Sequence, residues 1–191
     1  MGKSSVIKIA LDAGHGCRGK SSHTGAAANG LIEDEIVLDF VKRIGHHIRL
    51  AGYHTLYTRS DDTMTALSAR GKMAVAGKCD LFLSIHCNAG PSSAQGVEAF
   101  VAEADTRSAE IAMDLVTCVV GKGMANRGVK WDSQSQHTKL RVLRDTYKHM
   151  PAVLLEIGFL TNVSDSAHLK DKFFREAVSI EIAKACIQCI K

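Results

Sequence analysis

His15, Glu33, His86 and Glu156 are the residues of this 191-residue chain whose types and settings could do chemistry together. Two imidazoles and one carboxylate form a ligand set used by catalytic zinc, which leaves the fourth position to water. Zinc lowers the pKa of that water to roughly 7 and polarises a carbonyl, both suited to amide hydrolysis. A second carboxylate can then take the water's proton and pass it to the leaving nitrogen. Here the candidates are scattered along the chain rather than packed as H-E-x-x-H. Spacing by itself therefore only admits a metallohydrolase, and the elements that carry these residues must bring them together.

Those elements are legible. Leu81 to Asn88 (LFLSIHCN) is a short continuous apolar run with no glycine or proline, the pattern of a central strand covered on both faces. His86 stands at its C-terminal end, the edge where open α/β sheets collect ligands and catalytic groups. A hydrogen-bonded edge histidine is the plain alternative. Val6 to Leu11 (VIKIAL) reads as a second strand, and the glycines of Asp12-Ala13-Gly14-His15-Gly16 place His15 just beyond it. Residues 17 to 30 read as an irregular loop. A helix begins near Ile32, with Val37, Phe40, Val41, Ile44, Ile48 and Ala51 as its buried stripe. At about 100° per residue Glu33 falls within that stripe, whereas Glu35 falls opposite it with Asp39 and Lys42. An inward carboxylate must be paired, protonated or metal-bound, because burying a bare charge is costly.

Further along, Tyr53 to Arg59 alternates like a strand and Ala66 to Ala76 reads as a helix. Val97 to Val101 reads as a strand and Ser108 to Val120 as a helix. Gly121 to Lys139, which holds the only tryptophan, Trp131, reads as a long loop, and Leu140 to Leu143 as a short strand. After Pro151, Ala152 to Glu156 is a third buried-type strand with a carboxylate at its C-terminal end. Gly158 and Asn162 mark a turn, and Lys172 to Ile190 is a final helix. Strands alternating with helices argue for one layered α/β domain with helices on both faces. Parallel pairing would bring His15, His86 and Glu156 to one edge of its sheet.

Composition agrees. The length suits a single domain, 1–191, with a core that needs no disulfides. An apolar share of 46% and a charged share of 23% are those of an ordinary globular chain. The formal charge of +4 favours encounter with a polyanion, but the basic residues are scattered and no nucleic-acid motif appears. Six cysteines follow no zinc-finger spacing, and Cys186/Cys189 reads as a pair of buried thiols on a helix. No apolar segment is long enough to span a bilayer, and the N-terminus lacks a signal-peptide hydrophobic region. The expectation is a chain synthesised in the cytoplasm, acting as a monomer without membrane insertion.

The stretches LDAGHG (11–16), IEDEIVL (32–38), LYTRSDD (56–62), LSARGKMA (67–74), DLFLSIHCNAG (80–90), NRGVK (126–130) and PAVLLEIGFLTN (151–162) closely resemble the zinc-dependent N-acetylmuramoyl-L-alanine amidases of amidase family 3. The resemblance is collinear and covers nearly the whole chain. It implies a twisted, mostly parallel six-stranded sheet, zinc held by His15, Glu33 and His86, and Glu156 as the catalytic carboxylate. The implied substrate is peptidoglycan, cut between N-acetylmuramic acid and L-alanine, with a phage-type endolysin as the suggested setting. A peptidase or deacetylase on the same polymer, or a wall-binding domain without activity, are the rival readings. Cys17 and Cys87 depart from the family pattern. Cys87 should point away from a metal held by His86, because neighbouring strand residues face opposite ways. Cys17 and His23 are competing loop ligands. Arg70, Asn88, Arg127 and Trp131 each have a substrate-facing reading and a structural one.

Overall fold

The computed structural model describes residues 7–16 and 24–191. Six strands make one sheet: β1 (Lys8–Ala13), β4 (His54–Tyr57), β5 (Leu81–Asn88), β6 (Val97–Val101), β7 (Asn126–Trp131) and β8 (Ala152–Phe159). Their order across it is β4-β1-β5-β8-β6-β7. The pairs β1–β4, β1–β5, β5–β8 and β6–β7 are parallel, and β6–β8 is antiparallel. The sheet is thus mostly parallel and six-stranded. A two-strand ribbon, β2 (Ala27–Ala28) with β3 (Leu31–Ile32), lies apart from it and leads into the first helix.

Along their regular stretches the strands alternate, because successive side chains take opposite faces. Ile9, Leu11, Leu83, Ile85, Val153 and Leu155 fill one face. They pack against α1 (Glu33–Leu50), α3 (Thr106–Val120) and α6 (Lys172–Cys189). Ala10, Phe82, Ala152, Leu154 and Phe100 fill the other. That smaller core is closed by Ala74 of α2 (Leu67–Ala76) and by Val142 and Leu143 of α4 (Arg141–Arg144). Helices therefore cover both faces, and the central strands are buried as their unbroken apolar runs require. Among the described residues no helix is long and apolar enough to cross a membrane.

Four local expectations are corrected. Residues 121–139 are not one long loop, since Asn126–Trp131 forms edge strand β7 and Asp132–Gln134 a 3-10 turn. Residues 140–143 do not extend, because Arg141–Arg144 closes one helical turn that buries Val142 and Leu143 together. The turn at Gly158 and Asn162 falls differently: Gly158 lies within β8, and Asn162 caps α5 (Val163–Lys170). The ribbon β2–β3 likewise replaces part of the expected loop 17–30.

Candidate active site

Strand register builds the site. His86 of β5 pairs directly with Glu156 of β8, and Glu156 pairs in turn with Glu98 of β6. All three therefore project from the same face at one edge of the sheet. Just past Glu156, β8 gains an extra residue before Phe159 pairs with Asn88, a bulge of the kind that re-aims side chains beside active sites. Next to β5, β1 runs out into Gly14, whose amide donates to Ile85 O at 3.0 Å. His15 follows with a left-handed backbone, φ 58°, which costs a non-glycine residue strain.

Two buried arginines hold that strained turn. Arg70 donates to Ala13 O and His15 O, both at 2.6 Å, and pairs with Asp12 at 2.8 Å. Arg59 donates to Ala13 O at 2.9 Å, to Gly14 O at 2.7 Å and to Asp34 O at 2.8 Å. Asp12 is itself buried between Thr58 and Ser84, whose hydroxyls donate to it. Arg70 thus makes the contacts of its structural reading, and it also lines the cleft that the site faces. Arg59, which tethers the His15 turn to the start of α1, was not singled out from sequence. Its only signal was its place in LYTRSDD.

Glu33 reaches the same point from the opposite layer. No side chain caps α1; its first amides donate to Ala26 O at 2.9 Å and Thr24 O at 3.1 Å. The Glu33 side chain returns the contact, accepting from Ala26 N–H at 2.9 Å on Oε2. Its Oε1 lies 3.0 Å from His15 Nε2 and 3.0 Å from His86 Nδ1, and accepts from Cys87 N–H at 3.1 Å. Burial alone would push the Glu33 carboxyl up, but the hydrogen bonds from His15 and His86 outweigh it and hold the carboxyl well below its usual range. Glu33 is buried and Glu35 exposed, as the helical wheel required.

One donor atom from each of His15, Glu33 and His86 lies within 4.8 Å of the others. The two imidazole rings meet edge to face at 5.0 Å. A buried carboxylate between two imidazoles is a donor set that fits a small divalent cation. Beside it Glu156 has one oxygen, Oε2, buried with no hydrogen-bond partner. Burial, with the charges of Glu33 and Glu98 adding to it, pushes this carboxyl well above its ordinary range. The four residues face a cleft of about 700 Å³. Met64, Leu67, Leu140 and Leu154 give it apolar walls, and His137, Lys139 and Arg141 a basic rim.

The remaining candidates separate. Cys87 is buried in the core on the opposite face from His86, where burial holds its thiol far above the usual range. Cys186 is likewise buried and free. Trp131 packs against the larger core rather than lining the cleft. Asn88 does line the cleft, while Arg127 stands behind it against Glu98. Cys17 and His23 lie outside the described residues.

An imidazole–carboxylate cluster at the parallel edge of an α/β sheet, with an unpartnered acid beside it, has the layout of a metal-assisted hydrolase. The chain belongs to the N-acetylmuramoyl-L-alanine amidase family, whose model matches residues 9–188. It is 35% identical over 169 residues to the N-acetylmuramoyl-L-alanine amidase LytC of Bacillus subtilis (strain 168), covering 88% of this chain and 32% of LytC. It is 38% identical over 173 residues to the endolysin of Bacillus phage SPP1, covering 88% of this chain and 60% of the endolysin. The chain thus spans about a third of the one relative and three-fifths of the other. The catalytic domain of CwlV, an N-acetylmuramoyl-L-alanine amidase from Bacillus (Paenibacillus) polymyxa var. colistinus, superposes with a TM-score of 0.82 at 28% identity, over 97% of this chain and 99% of that one.

Proposed function

We propose that these 191 residues are one monomeric catalytic unit that hydrolyses the amide between N-acetylmuramic acid and L-alanine in peptidoglycan. The observation that carries this reading is the three-donor cluster beside the unpartnered oxygen of Glu156. Family membership supplies the substrate class, and the endolysin relative makes wall lysis the favoured setting.

His15, Glu33 and His86 would hold zinc, because two imidazoles and one carboxylate suit its borderline-soft character. When bound, zinc supplies Lewis acidity, acidifying water and polarising the scissile carbonyl. Arg59 and Arg70 keep the His15 turn in its strained conformation, and the Ala26 amide fixes the Glu33 carboxylate. Glu156 takes a proton from the attacking water as the carbon–oxygen bond forms. It then returns that proton to the nitrogen as the carbon–nitrogen bond breaks, freeing the L-alanine amine. Burial, with the charges of Glu33 and Glu98, displaces it upward from the usual carboxylate range, which favours its keeping the proton it takes until the nitrogen receives it.

Digestion of purified peptidoglycan, with metal content measured on the same preparation, tests the reading. The expected result is one zinc per chain, lost to a chelator together with activity, and new L-alanine amino termini in the products. Free acetate, or peptide-bond cleavage that leaves the muramyl amide whole, would replace the amidase reading by a deacetylase or a peptidase. A zinc-loaded chain that releases nothing would remove it.

A further inference from the structure

One buried carboxylate in the sheet is surrounded by more partners than the reaction above uses. Glu98 is 5% exposed and sits beside Glu156 across β6 and β8. It accepts from Arg127 Nε at 2.7 Å, from Lys130 Nζ at 2.5 Å and from Asn88 Nδ2 at 2.7 Å. Arg127 and Lys130 stand three positions apart, an odd offset, so a regular strand would turn them to opposite faces. They reach the same carboxylate because β7 gains a residue between the partners of Val97 and Ala99, at Gly128, whose φ of 78° a side chain would resist. The chain therefore holds a β-bulge whose effect is to gather two cations on Glu98.

The consequence appears at Asn88. A carboxylate accepts hydrogen bonds and cannot donate them, so the contact to Glu98 settles which end of the Asn88 amide is which. Nδ2 faces Glu98, and Oδ1 takes no hydrogen bond among the described residues. Asn88 also lines the cleft, whereas Glu98, Arg127 and Lys130 do not. It lies two residues beyond His86 on the same strand, roughly 7 Å further along.

We propose that Asn88 is a substrate-binding residue whose Oδ1 accepts the amide N–H of the second stem-peptide residue, and that Glu98, fixed by Arg127 and Lys130, is the positioning residue that turns Oδ1 into the cleft. The choice of N–H follows from the order of groups along the edge. In this assignment the scissile nitrogen faces Glu156 to be protonated, and the stem peptide runs outward past Asn88, two residues beyond His86 on β5. This assignment rests on the amidase reading.

The test uses the full chain and a soluble N-acetylmuramoyl dipeptide, together with an analogue whose second amide N–H is replaced by an ester oxygen. Asn88→Ala should lower kcat/KM on the amide about ten-fold, chiefly through KM, and leave the ester rate within about two-fold of wild type. Asn88→Asp should fall further, because it sets a carboxylate against Glu98. The double variant Asn88→Asp/Glu98→Gln keeps the total charge and reverses the donor and acceptor of the link. It should return to within about three-fold of wild type, since the new amide on β6 donates and the new carboxylate on β5 keeps an oxygen for the substrate. Zinc content of Asn88→Ala should match wild type, while its melting temperature falls modestly because Glu98 Oε1 loses a donor. Equal losses on amide and ester, an Asn88→Ala enzyme as fast as wild type, or no recovery in the double variant would each overturn the proposal. A wild-type chain that releases no peptide would instead remove the amidase reading.

Discussion

Glu156 is where a single atom decides most. Replacing it with Gln keeps the shape and removes the group that carries the proton, so hydrolysis should fall about a thousand-fold, within the range of a lost acid/base, while zinc stays bound. Initial rates and metal content on the same sample check this. A second outcome follows from its titration. Burial, together with the charges of Glu33 and Glu98, lifts the folded-state pKa well above the ordinary 4.5. The native protein then holds a proton that the unfolded chain releases, so this stabilisation is full below about 4.5 and disappears as pH rises through the folded value. Metal-free Glu156→Gln escapes that loss. It should melt like wild type near pH 4 and increasingly above it as pH rises, read from chelated melting curves; parallel curves would contradict the assignment. The sequence made this residue visible because a carboxylate ending a buried apolar strand has few structural explanations. Asn88 and Glu98 were harder to read, since their roles depend on which atom meets which, and that depends on registers set by two bulges.

At the scale of elements, the site depends on the turn that follows β1 and carries His15. Gly14 has ordinary φ, yet a Cβ added there would meet the His86 ring at 2.3–2.6 Å. Gly14→Ala should therefore fold, displace the imidazole, and weaken zinc at least about ten-fold, the scale of effect seen when support around a ligand is disturbed. Competition with a chromophoric chelator measures it. Arg70→Leu acts on the same turn through stability. It leaves Asp12 buried without its cation, and breaking a buried pair in this way costs about 3–5 kcal/mol, read by denaturant unfolding. Elements with an apolar rhythm were legible in sequence: β5, β6, α1 and α6 lie within a residue or two of where their patterns placed them. The elements that escaped are held by polar contacts. Helix α5 has no apolar stripe and is fixed by Asn162 Oδ1, which accepts from Ser164 and Asp165 N–H at 3.0 Å. Strand β7 is charged and glycine-broken because it is an edge strand whose inward charges are paired with Glu98. Helix α4 is too short for periodicity to tell it from a strand.

For the whole molecule, the layered α/β class follows from the alternation of strands and helices, and the parallel order of β1, β5 and β8 follows once helices must cross between them. What no pattern along the chain contains is the meeting of the two layers: Glu33 stands on a helix packed to one face, while His86 and Glu156 project from the other. They converge only because the cluster lies at the sheet's edge, where neither face is closed. The same whole-molecule view governs how the protein meets its substrate. Its formal charge is +4, and Lys139 and Arg141, which line the cleft, add positive potential where a polymer would enter. Attraction of a weakly cationic surface to an anionic polymer is long-ranged only when screening is weak, and the Debye length falls from about 10 Å at 0.1 M salt to about 3 Å at 1 M. Cleavage of a short soluble muramyl peptide depends on contacts inside the cleft, which salt screens little. Lysis of whole walls carrying anionic polymers should therefore slow several-fold between 0.05 and 0.5 M salt, roughly one screening length against three. Walls stripped of those polymers, and the soluble peptide, should change little over the same range. Turbidity loss on both wall preparations, run beside the soluble assay, separates the cases. An equal salt response in all three would place the effect in the site itself and remove the surface from the account.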